Sequence, residues 1–333
     1  MALKLSVFLG GLYPNAPLRH RSENPERFED LLLRSGFAIS NSALEADIFL
    51  ALDYLKADKR VLIERKQKNK MNILFRSEPK CVIPDAYQNS NVNLFNSVLS
   101  YGAMKDVANR ENWAQYWPSE LFVFDDFARR ADTVALVNAN KLSLNPSELY
   151  SFRRKCIKEL SFVKLYGEGW NVGLVAKLKT LAIEILKNPA GNLIRYPNHG
   201  RFWFHRWPET IAPLDKSKVL SGFRFCLVIE NDSNYMSEKL FDALFAGCIP
   251  IYVGPQISDY GIPDDLVIQA EASVLSISSA YEKAKKLDCE DFLKRLHKWL
   301  SSNETKRAHS SEHVLARSIE FIEQTYAEHL RQE

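Results

Sequence analysis

Residues Phe223-Arg224-Phe225-Cys226-Leu227-Val228-Ile229 are almost continuously apolar. Such a run suits a strand buried on both faces, as in a parallel sheet covered by helices. A polar run, 230–239, follows. Leu240, Phe241, Leu244 and Phe245 then recur at helical spacing, and Gly247 stops the helix. Ile249-Pro250-Ile251-Tyr252-Val253 is the next strand, ended by Gly254-Pro255. Strand, helix and strand in about thirty residues make one βαβ unit, whose connection should be right-handed.

The rest of the chain alternates in the same way, which predicts an α/β class. Strands are expected over 3–9, 48–52, 60–63, 72–75, 133–137 and 163–166. Asn24-Pro25 opens a helix that Gly36 stops. The basic stretch Arg65 to Lys70 reads as a solvated turn, and 79–130 as irregular structure with short helices. Further helices are expected over 147–160, 174–187, 280–287, 291–300 and 312–330. With 333 residues the chain suits two domains. Their boundary is placed near 130, giving domains 1–130 and 131–310, with 311–333 as a helix packing back on the body.

Composition narrows the function classes. Lys+Arg 44 against Asp+Glu 41 gives a net charge of +3, too balanced for a general nucleic-acid binder. No apolar run reaches the length of a spanning helix, and the first residues lack the pattern of a signal peptide. The five cysteines form no Cys-x-x-Cys pair and fit reduced core thiols of a cytoplasmic protein.

The polar run gains meaning from its position. It leaves the carboxyl end of a buried parallel strand, where open α/β sheets bind ligands. Helix starts favour anions, Lys239 adds a cation, and Glu238 can accept hydrogen bonds from hydroxyls. A nucleotide diphosphate sugar supplies both needs. A capping cluster with Glu238 and Lys239 exposed on the first turn fits the spacing equally well.

The residues also carry a resemblance. Phe225-x-Leu227-x-x-Glu230-Asn231-x-x-x-Tyr235-x-Ser237-Glu238-Lys239-Leu240, continuing to Ala246-Gly247-x-x-Pro250-x-x-x-Gly254-Pro255, is similar to the signature of the α1,3/4-fucosyltransferases (family 10 glycosyltransferases). Ile229, Asp232 and Met236-Ser237 depart from it mildly. The segments 217–225, 135–138 and 163–167 resemble the family more loosely, so the likeness covers about 133–270.

The resemblance implies a GT-B-like architecture, two Rossmann-like domains facing a cleft, the first binding the acceptor and the second a GDP-sugar donor. It implies an inverting transfer of L-fucose from GDP-β-L-fucose to a glycan hydroxyl, O3 or O4 of GlcNAc, with no metal or other cofactor. Lys239 then matches the lysine at the diphosphate, Glu238 the acid on the ribose, and Tyr235 the donor-site tyrosine. Glu230 and Asn231 would fix the turn or touch the donor, and Glu230 with Asp232 is the alternative metal site. Arg153 is the candidate phosphate arginine, with Arg154 the neighbouring choice. Glu78, leaving the strand at 72–75, is the candidate general base, with Asp85, Asp125 and Asp126 as substitutes. Rival readings are a transferase for another GDP-hexose and an inactive nucleotide- or carbohydrate-binding protein.

Three features lie outside that signature. The basic aromatic stretch 195–207 reads as an aromatic plug under a loop, with base stacking, acceptor binding or a membrane surface as alternatives. Gly167-x-Gly169 follows a strand and lines the expected donor cleft. The C-terminal helix reads as core rather than as a membrane contact. The expected location is cytoplasmic, with peripheral contact at the inner membrane as an option.

Overall fold

The computed structural model describes residues 4–14, 27–103, 106–122, 127–207, 210 and 216–332. The chain divides into one unit of Met1–Trp117 with Arg307–Glu333 and another of Pro118–Lys306. The division thus falls after Trp117 instead of near 130, and the C-terminal helix belongs to the first unit.

The first unit holds a parallel sheet of β1 (Ser6–Gly11), β2 (Ala38–Ile39), β3 (Ile48–Leu52), β4 (Met71–Arg76), β5 (Ser97–Tyr101) and β6 (Arg110–Glu111) in the order β2-β1-β3-β4-β5-β6. One face packs Val7, Ile48, Leu50, Ile73, Phe75 and Leu99 against α1 (Phe28–Arg34) and the C-terminal helix Ser311–Leu330. That helix contributes Val314, Leu315, Ile319 and Ile322; of the stripe Leu315, Ile319, Ile322, Tyr326 and Leu330 expected from spacing, Tyr326 is partly buried and Leu330 stays 51% exposed. The other face packs Phe49, Ala51 and Leu74 against Leu62 of α2 (Lys59–Gln67).

Three expectations fail in this unit. Residues 60–63 are not a strand but part of α2, because a short apolar run carries no helix-or-strand signal of its own. Arg65 is not in a solvated turn. It is fully buried, and its guanidinium donates to Asn72 Oδ1 (2.8 Å) and to the carbonyls of Ala43 (2.7 Å), Ala46 (2.8 Å), Asp47 (3.2 Å) and Met71 (2.7 Å). Burial lowers its pKa to about 10. Within 79–130, α3 (Asn89–Val92) is a short helix as expected, but β5 is an inner strand that the polar flanks concealed. Asn24 and Pro25 lie outside the described residues.

The second unit holds a parallel sheet of β7 (Ala131–Val137), β8 (Val163–Tyr166), β9 (Phe223–Ile229), β10 (Ile249–Val253) and β11 (Ile268–Gln269) in the order β11-β10-β9-β7-β8. Its helices are α4 (Tyr150–Glu159), α5 (Leu174–Lys187), α6 (Pro189–His199), α7 (Lys216–Leu220), α8 (Lys239–Phe245), α9 (Val274–Ala284) and α10 (Cys289–Ser301). The predicted loop at 195–207 therefore begins as a helix: Pro189 starts α6 as readily as Asn188-Pro189 ends α5. The predicted helix at 280–287 starts earlier, where Ser273 caps α9 through Ser276 N–H.

β9 and β10 pair from Phe225↔Ile249 to Ile229↔Val253. Glu230 N–H continues the ladder to Val253 O at 2.9 Å, so the polar run leaves the sheet beside Gly254. Among the described residues, no helix is long and apolar enough to cross a membrane.

Candidate active site

Glu230 is fully buried at the exit of β9. Its carboxylate accepts the N–H of Ser237 (3.1 Å) and the Ser237 hydroxyl (2.6 Å), with Lys239 Nζ at 3.8 Å. Burial pushes its pKa up, against the pull of the Lys239 ammonium. Glu230 therefore fixes the loop that delivers residues 237–239 to the start of α8. A Cβ on Gly254 would stand 2.5 Å from the Tyr252 hydroxyl and 2.9 Å from Glu230 Cγ, so this crossing needs glycine.

Lys239 donates from Nζ to Ser237 Oγ at 2.8 Å and lies 4.0 Å from Glu238 Oε1. Glu238 is half-exposed and meets Lys216 Nζ at 3.4 Å; Lys216 also reaches Asp242 Oδ2 at 3.1 Å. Burial disfavours the Glu238 anion, but Lys239 and Lys216 outweigh it and hold the carboxyl well below the usual range. The result is a carboxylate held between two cations, with 36% of its side chain exposed.

Of the two arginines, only Arg153 points at this loop. Its guanidinium donates to Ile229 O from Nε (3.1 Å) and Nη2 (2.6 Å), and from Nη2 to Asn231 Oδ1 (2.9 Å). Arg154 turns the other way. It donates to Lys141 O (2.7 Å), His199 O (2.6 Å), Arg201 O (3.0 Å) and Asn140 Oδ1 (3.4 Å), tying α4 to α6. Tyr235 is buried in the same 230–239 loop. Asp232 is also buried; it accepts Ser147 Oγ and, at 3.0 Å, Asn234 N–H. Both carboxylates of the alternative metal pair are thus engaged by their own loop and its neighbour.

A cavity of about 490 Å³ opens at the carboxyl ends of β10 and β11, lined by Leu149, Ser233, Val253, Gly254, Gln256 and Glu271 among others. Its volume lies within the usual range for small-molecule sites. A smaller space touches Asn138, Lys216, Lys239 and Asp242. Asn138 Oδ1 is buried with no hydrogen-bond partner among the described residues. The smaller space holds about 10 Å³, so a single water at most can complete the hydrogen bonding of Asn138 there. Gly167 and Gly169 serve packing: a Cβ on Gly167 would lie 2.1 Å from Asn138 O, and one on Gly169 2.9 Å from Asn140 O.

In the first unit, Glu78 leaves β4 half-buried. Its N–H lies 3.3 Å from Asp53 Oδ1, and Tyr87 Oη donates to its carbonyl at 2.9 Å. Asp53 also accepts Ser77 N–H at 3.0 Å and the Ser77 hydroxyl. It is fully buried with a left-handed backbone (φ 59°). Burial raises its pKa to about 6, although the Ser77 and Glu78 hydrogen bonds pull it down. Asp85 instead closes a local turn, accepting Gln88 Nε2 at 2.6 Å. Asp125 and Asp126 lie outside the described residues.

Sequence reasoning missed Lys216 and Asp53. Lys216 stands four residues before Leu220-Ser221, immediately ahead of the lead-in segment, and that spacing was the available signal. Asp53, following an apolar strand, had none beyond strand-end position.

Neither the family models nor the curated proteins include a match to this chain. Solved structures do match. An α1,3-fucosyltransferase is 13% identical with a TM-score of 0.56, over 97% of this chain and 90% of that one. The Anabaena protein HepE in complex with UDP is 10% identical with a TM-score of 0.55, over 97% and 100%. An α-glucosyltransferase in complex with UDP and DNA is 9% identical with a TM-score of 0.50, over 96% and 98%. The two parallel sheets thus have the fold of the GT-B glycosyltransferases.

Proposed function

We propose that the chain is an inverting glycosyltransferase that moves L-fucose from GDP-β-L-fucose to a glycan hydroxyl, without a metal. One observation carries the reading. Glu238, Lys239 and Lys216 form a fixed anion–cation cluster at the carboxyl end of a central parallel strand. Glu238 and Lys239 lie within the stretch whose spacing resembles the fucosyltransferase signature, and Lys216 stands immediately ahead of its lead-in segment. In this reading the lysines meet the diphosphate, whose charge grows as the sugar–phosphate bond breaks. Glu238 accepts from the ribose hydroxyls, and Arg153 lies close enough to Asn231 to organise the same loop. Tyr235 supports the donor from beneath.

Glu78 is the proposed base. It takes the proton of the acceptor hydroxyl as that oxygen attacks the sugar carbon, and GDP leaves with the bonding electrons. A fold shared with UDP-bound proteins keeps a UDP-hexose donor as the second reading. The test is incubation with GDP-fucose, other GDP-hexoses and UDP-glucose, with β-galactosyl-GlcNAc acceptors and mass analysis of products. Transfer of a deoxyhexose from GDP-fucose alone is the expected result. Transfer from UDP-glucose alone overturns the donor assignment.

A further inference from the structure

Helix α5 is inside out. Its buried residues are Lys177 and Glu184, whereas Val175 is 81% exposed, Leu186 74% and Leu174 63%. Helix α6 repeats the arrangement: Asn192 is buried, while Ile194 is 80% and Leu193 60% exposed. A surface helix ordinarily turns its apolar stripe to the core. Here the inward polar groups are satisfied. Lys177 Nζ donates to His205 O at 3.0 Å, Asn192 Nδ2 to Glu184 O at 2.6 Å, and Lys187 pairs with Glu184. The inner side still packs Leu181, Ile185 and Tyr196 on Leu142, Leu144 and Trp203. The hairpin is therefore anchored, and its outer face is apolar across two adjacent helices. Single exposed apolar residues need no explanation, but this many on two helices packed together mark an interaction surface.

Charge selects the partner. From 171 to 207 the chain carries Lys177, Lys179, Lys187, Arg195, Arg201 and Arg206. The only acid in that span is Glu184, which is buried. Lys179, Arg201 and Arg206 are exposed, and Phe204 is exposed between the two arginines. An apolar face on a segment whose exposed charges between 171 and 207 are all cations, Lys179, Arg201 and Arg206 among them, complements an anionic bilayer: the side chains enter the acyl boundary and the cations meet headgroup phosphates. At 14 residues α5 is too short to span. A second copy would set the same cations against themselves across a two-fold interface.

We propose that the outer face of α5 and α6, with the cations of 195–207, is a monotopic docking surface for an anionic phospholipid bilayer. Donor and acceptor chemistry play no part in it, so it stands apart from the proposed activity.

The test is sedimentation of the full chain with vesicles of phosphatidylcholine alone or mixed with phosphatidylglycerol. Binding to the mixed vesicles, weakened by salt, is expected. Val175→Glu with Ile194→Glu should weaken it on the order of a hundredfold, because two apolar anchors are lost. Circular dichroism and melting temperature should hold, since both positions are exposed. Lys179→Glu with Arg206→Glu leaves the apolar face intact and should abolish the preference for anionic vesicles. Two results overturn the proposal. One is wild-type protein that ignores anionic vesicles. The other is a dimer that Val175→Glu with Ile194→Glu converts to monomer, without vesicle binding in either form.

Discussion

The carboxylate of Asp53 holds the backbone of Glu78: one buried oxygen accepts the N–H groups of both Ser77 and Glu78, at 3.0 and 3.3 Å. The proposed base is thus placed by the residue that follows the neighbouring strand β3, one with a left-handed backbone. Asparagine tolerates that conformation and can present the same acceptor. Its amide can also donate to Ser77 Oγ, reversing the bond the hydroxyl now makes.

Asp53→Asn therefore carries a signed prediction about pH. The folded pKa is about 6, above the unfolded value, so ionised Asp53 costs stability above that pH. The cost disappears as pH falls from about 6 towards the unfolded value near 4. A shift of this size corresponds to roughly 3 kcal/mol at most. Urea unfolding should find Asp53→Asn at least as stable as wild type at pH 7, with the advantage shrinking towards pH 4. A difference that is flat across that range would contradict the assigned burial cost. Asp53→Ala strands the donors of Ser77 and Glu78 and should be less stable at every pH.

Glu78→Gln keeps the shape of the side chain and loses its basicity. If Glu78 takes the acceptor proton, turnover should fall by roughly 10²–10⁴-fold. GDP affinity and melting temperature should stay close to wild type, because the bonds that tie the turn to Asp53 and Tyr87 use the backbone of residue 78, which the substitution keeps. The wild-type rate should also drop as the carboxylate protonates in acid. Transfer at near wild-type rate would move the search for a base to Asp85, Asp125 or Asp126.

How far the sequence alone reached depended on whether local pattern or tertiary contact decided the outcome. The β9–α8–β10 unit was legible because three period signals agreed within one short stretch. The C-terminal stripe was legible for the same reason. Residues 60–63 were not, since four residues cannot separate a period of 2 from one of 3.6. Arg65 looked like solvent because charge was read without its acceptors, and those acceptors are carbonyls up to 22 residues away. At the candidate site, Glu230, Asn231, Glu238 and Lys239 were named from position and motif, and the structure brings Glu230 and Glu238 to 3.8 and 4.0 Å from the Lys239 ammonium. Lys216 and Asp53 were not, because each acts through a partner distant in sequence.

Lys239→Ala tests the donor side. Its side chain is 15% exposed, and its ammonium donates to Ser237 Oγ at 2.8 Å with Glu230 and Glu238 carboxylate oxygens at 3.8 and 4.0 Å. Charge-assisted hydrogen bonds contribute roughly 1.5–3 kcal/mol each, so GDP should bind about tenfold or more weakly by calorimetry. Unchanged affinity would remove Lys239 from the phosphate site. Chelator should leave wild-type transfer intact under the metal-free reading. Loss restored by Mn²⁺ would reinstate a metal role.

Arg153 and Arg154 should separate by phenotype. Arg154 spends its guanidinium on the carbonyls of Lys141, His199 and Arg201, all distant from the 230–239 loop. Arg154→Ala removes the donors from those part-buried carbonyls, so unfolding free energy should fall by roughly 1–3 kcal/mol. The GDP affinity of the molecules that remain folded should hardly move. Arg153→Ala frees Ile229 O and Asn231 Oδ1 at the mouth of β9, so it should weaken GDP binding as well as stability. Calorimetry at a temperature where both variants are folded distinguishes the two. Equal losses of GDP affinity would show that the arginines act together through α4, and the choice of Arg153 would fall.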